Sequence, residues 1–226
     1  MVTNRGLAEL ISRSSAPVSR TPKRLRDVPV TLAKERLIEL ESLLHLRDGF
    51  RTLGGSLLIR PSISVAGTRG VEDWNQLSLW RTPYRSASEL LFFAEDVTGR
   101  QFAAYRDEIV SFDPEQGAFE HFAFRLEVWA ERVLDDPDDV GMSLLEEWEA
   151  THPPLGRNER LQPRVPFMLS VDEETPPEFR VIQDIELMRR YARLYRETSG
   201  RPEGADVELS WWWEDPAGAE DPKPIP

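Results

Sequence analysis

The sequence predicts an α+β fold with a mostly antiparallel central sheet. Three observations predict this. Short apolar runs separated by tight turns crowd the middle of the chain. Runs with helical spacing lie before and after them. Strand runs and helix runs are partly segregated along the sequence.

Residues 1–30 read as a flexible basic arm. They hold Ser12, Ser14, Ser15, Ser19, Pro17, Pro22 and Pro29 with scattered arginines, and no sustained apolar period. Residues 31–213 read as a single domain. Thr31 is placed to cap a helix running to about Leu46, with Leu32, Leu37, Leu40, Leu43 and Leu44 near helical spacing and Asp48-Gly49 stopping it. A short strand is expected at Ser56–Arg60, ended by Pro61, and a loop at Ser62–Gln76 with Gly67 and Gly70.

The centre carries the meander. Strands are expected at Leu90–Val97, Gln101–Arg106, Ile109–Phe112 and Ala118–Phe124. Thr98-Gly99 forms one turn. Asp113-Pro114-Glu115-Gln116-Gly117 forms another, because proline presets φ and glycine supplies a positive one. Helices follow at about Leu126–Leu134 and Ser143–Ala150, the first with Leu126, Trp129 and Val133 on one face. Val165–Val171 reads as extended. Gln183–Thr198 is the last helix, striped by Leu187, Met188, Tyr191, Leu194 and Tyr195. Val207–Trp213 reads as a final strand, with Trp211 and Trp213 on one face and Trp212 on the other. Residues 214–226 read as an acidic, proline-rich disordered tail.

The totals fit this plan. A chain of 226 residues can bury a core without covalent staples. It has no cysteine, which excludes disulfides, thiolate nucleophiles and thiolate metal sites. The sequence holds no apolar run of membrane-spanning length and no secretory apolar core near Met1, so the reading is cytoplasmic. The formal net charge is -12 and uneven. Arg5, Arg13, Arg20, Lys23, Arg24 and Arg26 face only Glu9 and Asp27 in residues 1–30, so the arm is +4 and the rest -16. An acidic body repels nucleic-acid phosphates and steers basic proteins toward itself.

Catalytic signatures are scarce. His45, His121 and His152 stand apart, with no second histidine at ligand spacing, and no nucleophile elbow, phosphate loop or dinucleotide fingerprint occurs. The stretch Asp136 to Glu147 matches a calcium loop at positions one, three, six and twelve, but Val140 and Leu144 fall where oxygen ligands belong. It therefore reads as a solvated loop whose aspartates favour the next helix. Glu95-Asp96, at the end of an apolar strand, must be paired or bonded to turn amides to be buried there. No metal and no cofactor is expected, and no catalytic residue is assigned.

Four segments, taken in order, carry a resemblance. They are Leu91-Phe92-Phe93-Ala94-Glu95-Asp96-Val97-Thr98-Gly99-Arg100-Gln101-Phe102-Ala103, then Phe112-Asp113-Pro114-Glu115-Gln116-Gly117, then Glu127-Val128-Trp129-Ala130 with Glu147-Trp148-Glu149, and last Arg160-Leu161-Gln162-Pro163-Arg164-Val165-Pro166-Phe167. Colinear over about Leu32 to Leu209, they resemble the SUKH superfamily of Smi/Knr cell-wall-regulator-like proteins, in its bacterial immunity-protein branch. Met168-Leu169-Ser170-Val171 departs from the glycine pair that often follows in that family, as a divergent subfamily would. The resemblance implies a central antiparallel sheet with helices packed on one side, in a non-catalytic protein-binding domain that neutralises a cognate toxin, such as a nuclease, of a polymorphic toxin system. The alternative is a regulatory or scaffold adaptor of the same fold. A third, more distant reading is a carboxylate-based metal-dependent enzyme. Asp135, Asp136, Asp138, Asp139, Glu146, Glu147 and Glu149 are the expected contact residues for the protein partner.

Overall fold

The computed structural model describes residues 5–65, 67–170, 177–202 and 205–214. Apart from Glu214, the expected acidic tail lies outside them. A six-stranded antiparallel sheet forms the centre, its strands adjacent in chain order: β1 (Phe50–Thr52), β2 (Leu57–Ile59), β3 (Leu91–Asp96), β4 (Gln101–Tyr105), β5 (Glu108–Asp113) and β6 (Ala118–Ala123). The four strands expected in the middle of the chain are β3 to β6. The expected strand at Ser56–Arg60 is β2, and β1 joins it through a short 3-10 turn. A separate hairpin pairs β7 (Glu159–Pro163) with β8 (Phe179–Gln183).

Helices cover both faces of the sheet, which corrects the expectation of helices on one side. Side chains alternate across a strand. Leu91, Phe93, Phe102, Ala104 and Ile109 therefore pack into one core with α1 (Arg5–Ser12), α2 (Lys34–Leu46) and α4 (Leu126–Asp135). Phe92, Ala103, Val110 and Phe112 point the other way. They pack with Trp74 of α3 (Val71–Trp74), with α6 (Asp184–Thr198) and with Trp212 of α7 (Ser210–Trp213). Every residue of β3 is buried, as two-sided cover requires.

The N-terminal arm is also corrected. Leu7 and Leu10 of α1 are buried. Its first amides end on α4: Gly6 and Leu7 donate to the Glu127 carboxylate at 2.5 and 3.4 Å. Beyond α1, Ser15 donates to Arg51, Val18 to Gly49 and Ser19 to Asp48, so the chain lines the open edge beside β1. An uncovered edge strand is an aggregation hazard, and this segment hides it.

Two other expectations change. Residues 210–213 form a helical turn rather than a strand. The carbonyls of Trp211, Trp212 and Trp213 are taken by Arg190, Gln162 and Arg180 side chains, so no strand partner is needed. Trp212 is buried and donates its indole N–H to Pro163. Phe167–Leu169 forms a 3-10 turn where an extended run was expected. Glu115 accepts the Phe167 and Met168 amides, at 3.1 and 2.7 Å, and holds that turn in place.

A charged network joins the hairpin to the main sheet. Arg60 bonds Glu95 at 2.5 Å and Asp184 at 3.0 Å, and Arg160 of β7 bonds the same Glu95 oxygen. All four side chains are buried. Arg60 also lies 3.2 Å above the Trp74 ring. Burial opposes ionisation of Glu95, but Arg160 and Arg60 hold its carboxyl below the ordinary range. No helix among the described residues is long and apolar enough to cross a membrane.

Candidate partner-binding cleft

The antiparallel register brings the β3–β4 and β5–β6 turns to the same end of the sheet. Both turns are pressed onto α6. Gly117, at φ 64°, sits where a Cβ would collide with the Tyr195 ring, so only glycine allows the close approach. Tyr191 of α6 donates to the Thr98 carbonyl at 3.0 Å and fixes the other turn. Between the turns opens a cleft of about 590 Å³, closed on one side by the Phe167–Leu169 turn and on another by Asp139.

The lining is acidic: Asp96, Asp113, Glu115, Glu120 and Asp139, against one cation, Arg100. These acids differ in how far they are already used. Asp96 Oδ1 accepts the Thr98 and Arg100 amides, at 2.9 and 3.0 Å, and its Oδ2 takes Arg100 Nε at 3.1 Å. Arg100 continues to Asp139 at 3.0 Å. Burial works against the charge on Arg100, but Asp96 and Asp139 outweigh it and raise its pKa. Glu115 is 4% exposed, and burial pushes its carboxyl up to about 7 despite the two amides it accepts. Asp113 commits Oδ1 to the Glu115 and Gln116 amides. Its Oδ2 and the whole Glu120 carboxylate have no partner among the described residues.

The expected contact residues do not form one surface. Asp135 and Asp136 are exposed at the end of α4. Asp138 caps α5 (Met142–Glu149), its Oδ1 taking the Ser143 hydroxyl at 2.6 Å and amide at 3.1 Å. Those bonds lower its pKa. Asp139 reaches the cleft. Glu146 is exposed, and Glu149 accepts the Leu155 amide at 3.1 Å. Glu147 lines a different groove, of about 580 Å³, beside Trp148, His152 and Phe179. The segment tested as a calcium loop folds as a 3-10 turn, Pro137–Val140, running into α5, with Val140 buried. No three His, Asp or Glu side chains gather as metal ligands among the described residues.

Sequence reasoning missed Ser111, Asp113, Glu115 and Glu120 as site residues. A serine within the apolar run Ile109–Phe112 was the available signal. The histidines remain apart: His45 is exposed, His121 pairs with Glu108 at 2.5 Å, and His152 stacks on Trp148. Comparison with family models, with curated proteins and with solved structures finds no match.

Proposed function

We propose that this protein is a non-catalytic, cytoplasmic binding domain of the SUKH type that captures and neutralises a cognate toxin with a basic surface. The observation that carries the reading is the acidic cleft. Its rim leaves Asp113 Oδ2 and the Glu120 carboxylate without partners among the described residues. Open anionic acceptors at a concave mouth suit a cationic protein. They suit a nucleic acid badly, because phosphate would be repelled. The colinear SUKH-like segments and the charge of -12 point the same way. Asp135, Asp136, Glu146 and Glu147 then serve as flanking acids that steer the partner rather than as its seat.

The test is a tagged copy recovered from its native cells, with mass spectrometry of what co-purifies. The expected result is a stoichiometric protein that is toxic when expressed alone and harmless with this chain. Recovery of regulatory or envelope-assembly proteins only would reject the toxin reading in favour of the adaptor. With the partner in hand, reversing the charge of Asp135 and Asp136 should slow association and weaken its salt dependence. An unchanged on-rate would remove these two residues from the encounter surface.

A further inference from the structure

We infer that the cleft is built to seat an arginine side chain of the partner, held by Ser111, Asp113 and Glu120. This rests on the protein-binding reading above and adds the chemistry of what is bound. Ser111 is the independent observation. It is 3% exposed, yet its hydroxyl makes no hydrogen bond within the described residues, and it lines the cleft. The residue is buried, but its oxygen is not among the buried polar atoms without partners, so the hydroxyl opens onto the cleft and is free to bond a ligand group there.

The register gathers the three acceptors. Ser111 pairs directly with Glu120, and Asp113 with Ala118. Val110 and Phe112 point into the α6 core, so Ser111 and Asp113 share the opposite face. Directly paired side chains begin about 5 Å apart, and same-face neighbours along a strand about 7 Å apart. Ala118 adds only a methyl group beside Asp113, which keeps the space open. The result is a row of one hydroxyl and two carboxylates around a gap.

A guanidinium matches this row better than an ammonium does. Its planar fork offers five N–H donors at fixed angles, enough to reach both carboxylates and the serine together. An ammonium is a compact point charge with three donors. Phe167 and Met168, 47% and 39% exposed, stand at the same cleft and offer apolar surface to the aliphatic stem. Arg100 already shows that a guanidinium fits here, since it spans Asp96 and Asp139 at the same cleft.

The experiment uses the ¹⁵N-labelled full chain titrated with hexa-arginine, hexa-lysine and hexa-citrulline peptides. Hexa-arginine should shift amides at Ser111, Asp113, Ala118 and Glu120 and saturate. Hexa-lysine should bind more weakly, and hexa-citrulline not at all. The Asp113→Asn/Glu120→Gln variant should bind hexa-arginine at least about tenfold more weakly with the rest of its spectrum unchanged. Ser111→Ala keeps the charge, and should weaken arginine binding while leaving lysine binding as it was. Equal binding of arginine and lysine, or shifts spread over α4 and α5, would overturn the inference. So would tighter occupation of the same residues by spermidine, which would make the cleft a polyamine site. Specific arginine binding without a toxin in the native pull-down would leave this inference standing and sink the immunity reading alone.

Discussion

Two clusters of charge in this molecule are built oppositely. Around Glu95, two buried arginines and two buried carboxylates cancel one another, and Arg60 adds the Trp74 ring to its partners. Around Asp113 the acids outnumber the cations, and several acceptor atoms have no partner. The first cluster satisfies its carboxylate oxygens inside the fold, leaves Arg60 Nε and Arg160 Nε unbonded among the described residues, and ties β7 and α6 to the sheet. The second leaves acceptors open, as the proposed capture of a cationic partner requires. Both lie beside the β3–β4 turn, with Glu95 and Asp96 adjacent in sequence, so composition cannot tell them apart. What separates them is whether each acceptor finds a donor inside the fold.

The sharpest break of that contrast is Glu95→Gln. It leaves Arg60 and Arg160 buried with one carboxylate between them, and removing one member of such a network costs about 3–5 kcal/mol. A guanidinium chloride melt should show the loss, and a change under about 1 kcal/mol would mean the network is solvated rather than sealed. Glu115 gives the next effect, through pH. The folded chain keeps its proton up to about 7, whereas an ordinary glutamate releases it near 4.5. Between those values the native state binds the extra proton. Stability from this group is therefore full below about 4.5 and lost as pH rises through about 7, on the order of 3 kcal/mol. Glu115→Gln cannot titrate, so its stability should lack that decline. A parallel pH profile for the two proteins would show that Glu115 is already ionised at pH 5.

The same distinction governs what could be read from the sequence. Strands β3 to β6 were legible because short apolar runs and the Asp113–Gly117 turn are local signals. Helix α6 was legible from its stripe. Helix α1 was not, because its amides end on Glu127, and that partner is 121 residues from Gly6. Strands β7 and β8 were missed too: each is short and half polar, and the pair is anchored by Arg160 reaching Glu95 rather than by a pattern of its own. The need for Glu95 to be paired was visible, but the identity of its partners was not. The acidic run from Asp135 to Glu149 was conspicuous, yet the chain turns within it, sending Asp139 to the cleft and Glu147 to another groove. The Ser111–Glu120 pairing depends on the strand register, which a bulge between Ile109 and Val110 resets. No inspection of composition reveals a shift of one residue.

The smallest expected effect on stability is the most telling about function. Asp113→Asn/Glu120→Gln removes two negative charges from a cleft where acids already crowd one another. Asp113 uses only Oδ1 for the turn amides, and the asparagine carbonyl can replace that acceptor. Glu120 is exposed and holds no internal bond. Stability should therefore stay within about 0.5 kcal/mol of the parent, or rise slightly as repulsion is relieved. A cluster kept for the fold would not behave so, as Glu95→Gln is expected to demonstrate beside it. If the double variant instead unfolds easily in the same melt, the cleft acids belong with the buried network as structural groups. An undiminished melt together with lost binding would place their purpose outside the chain.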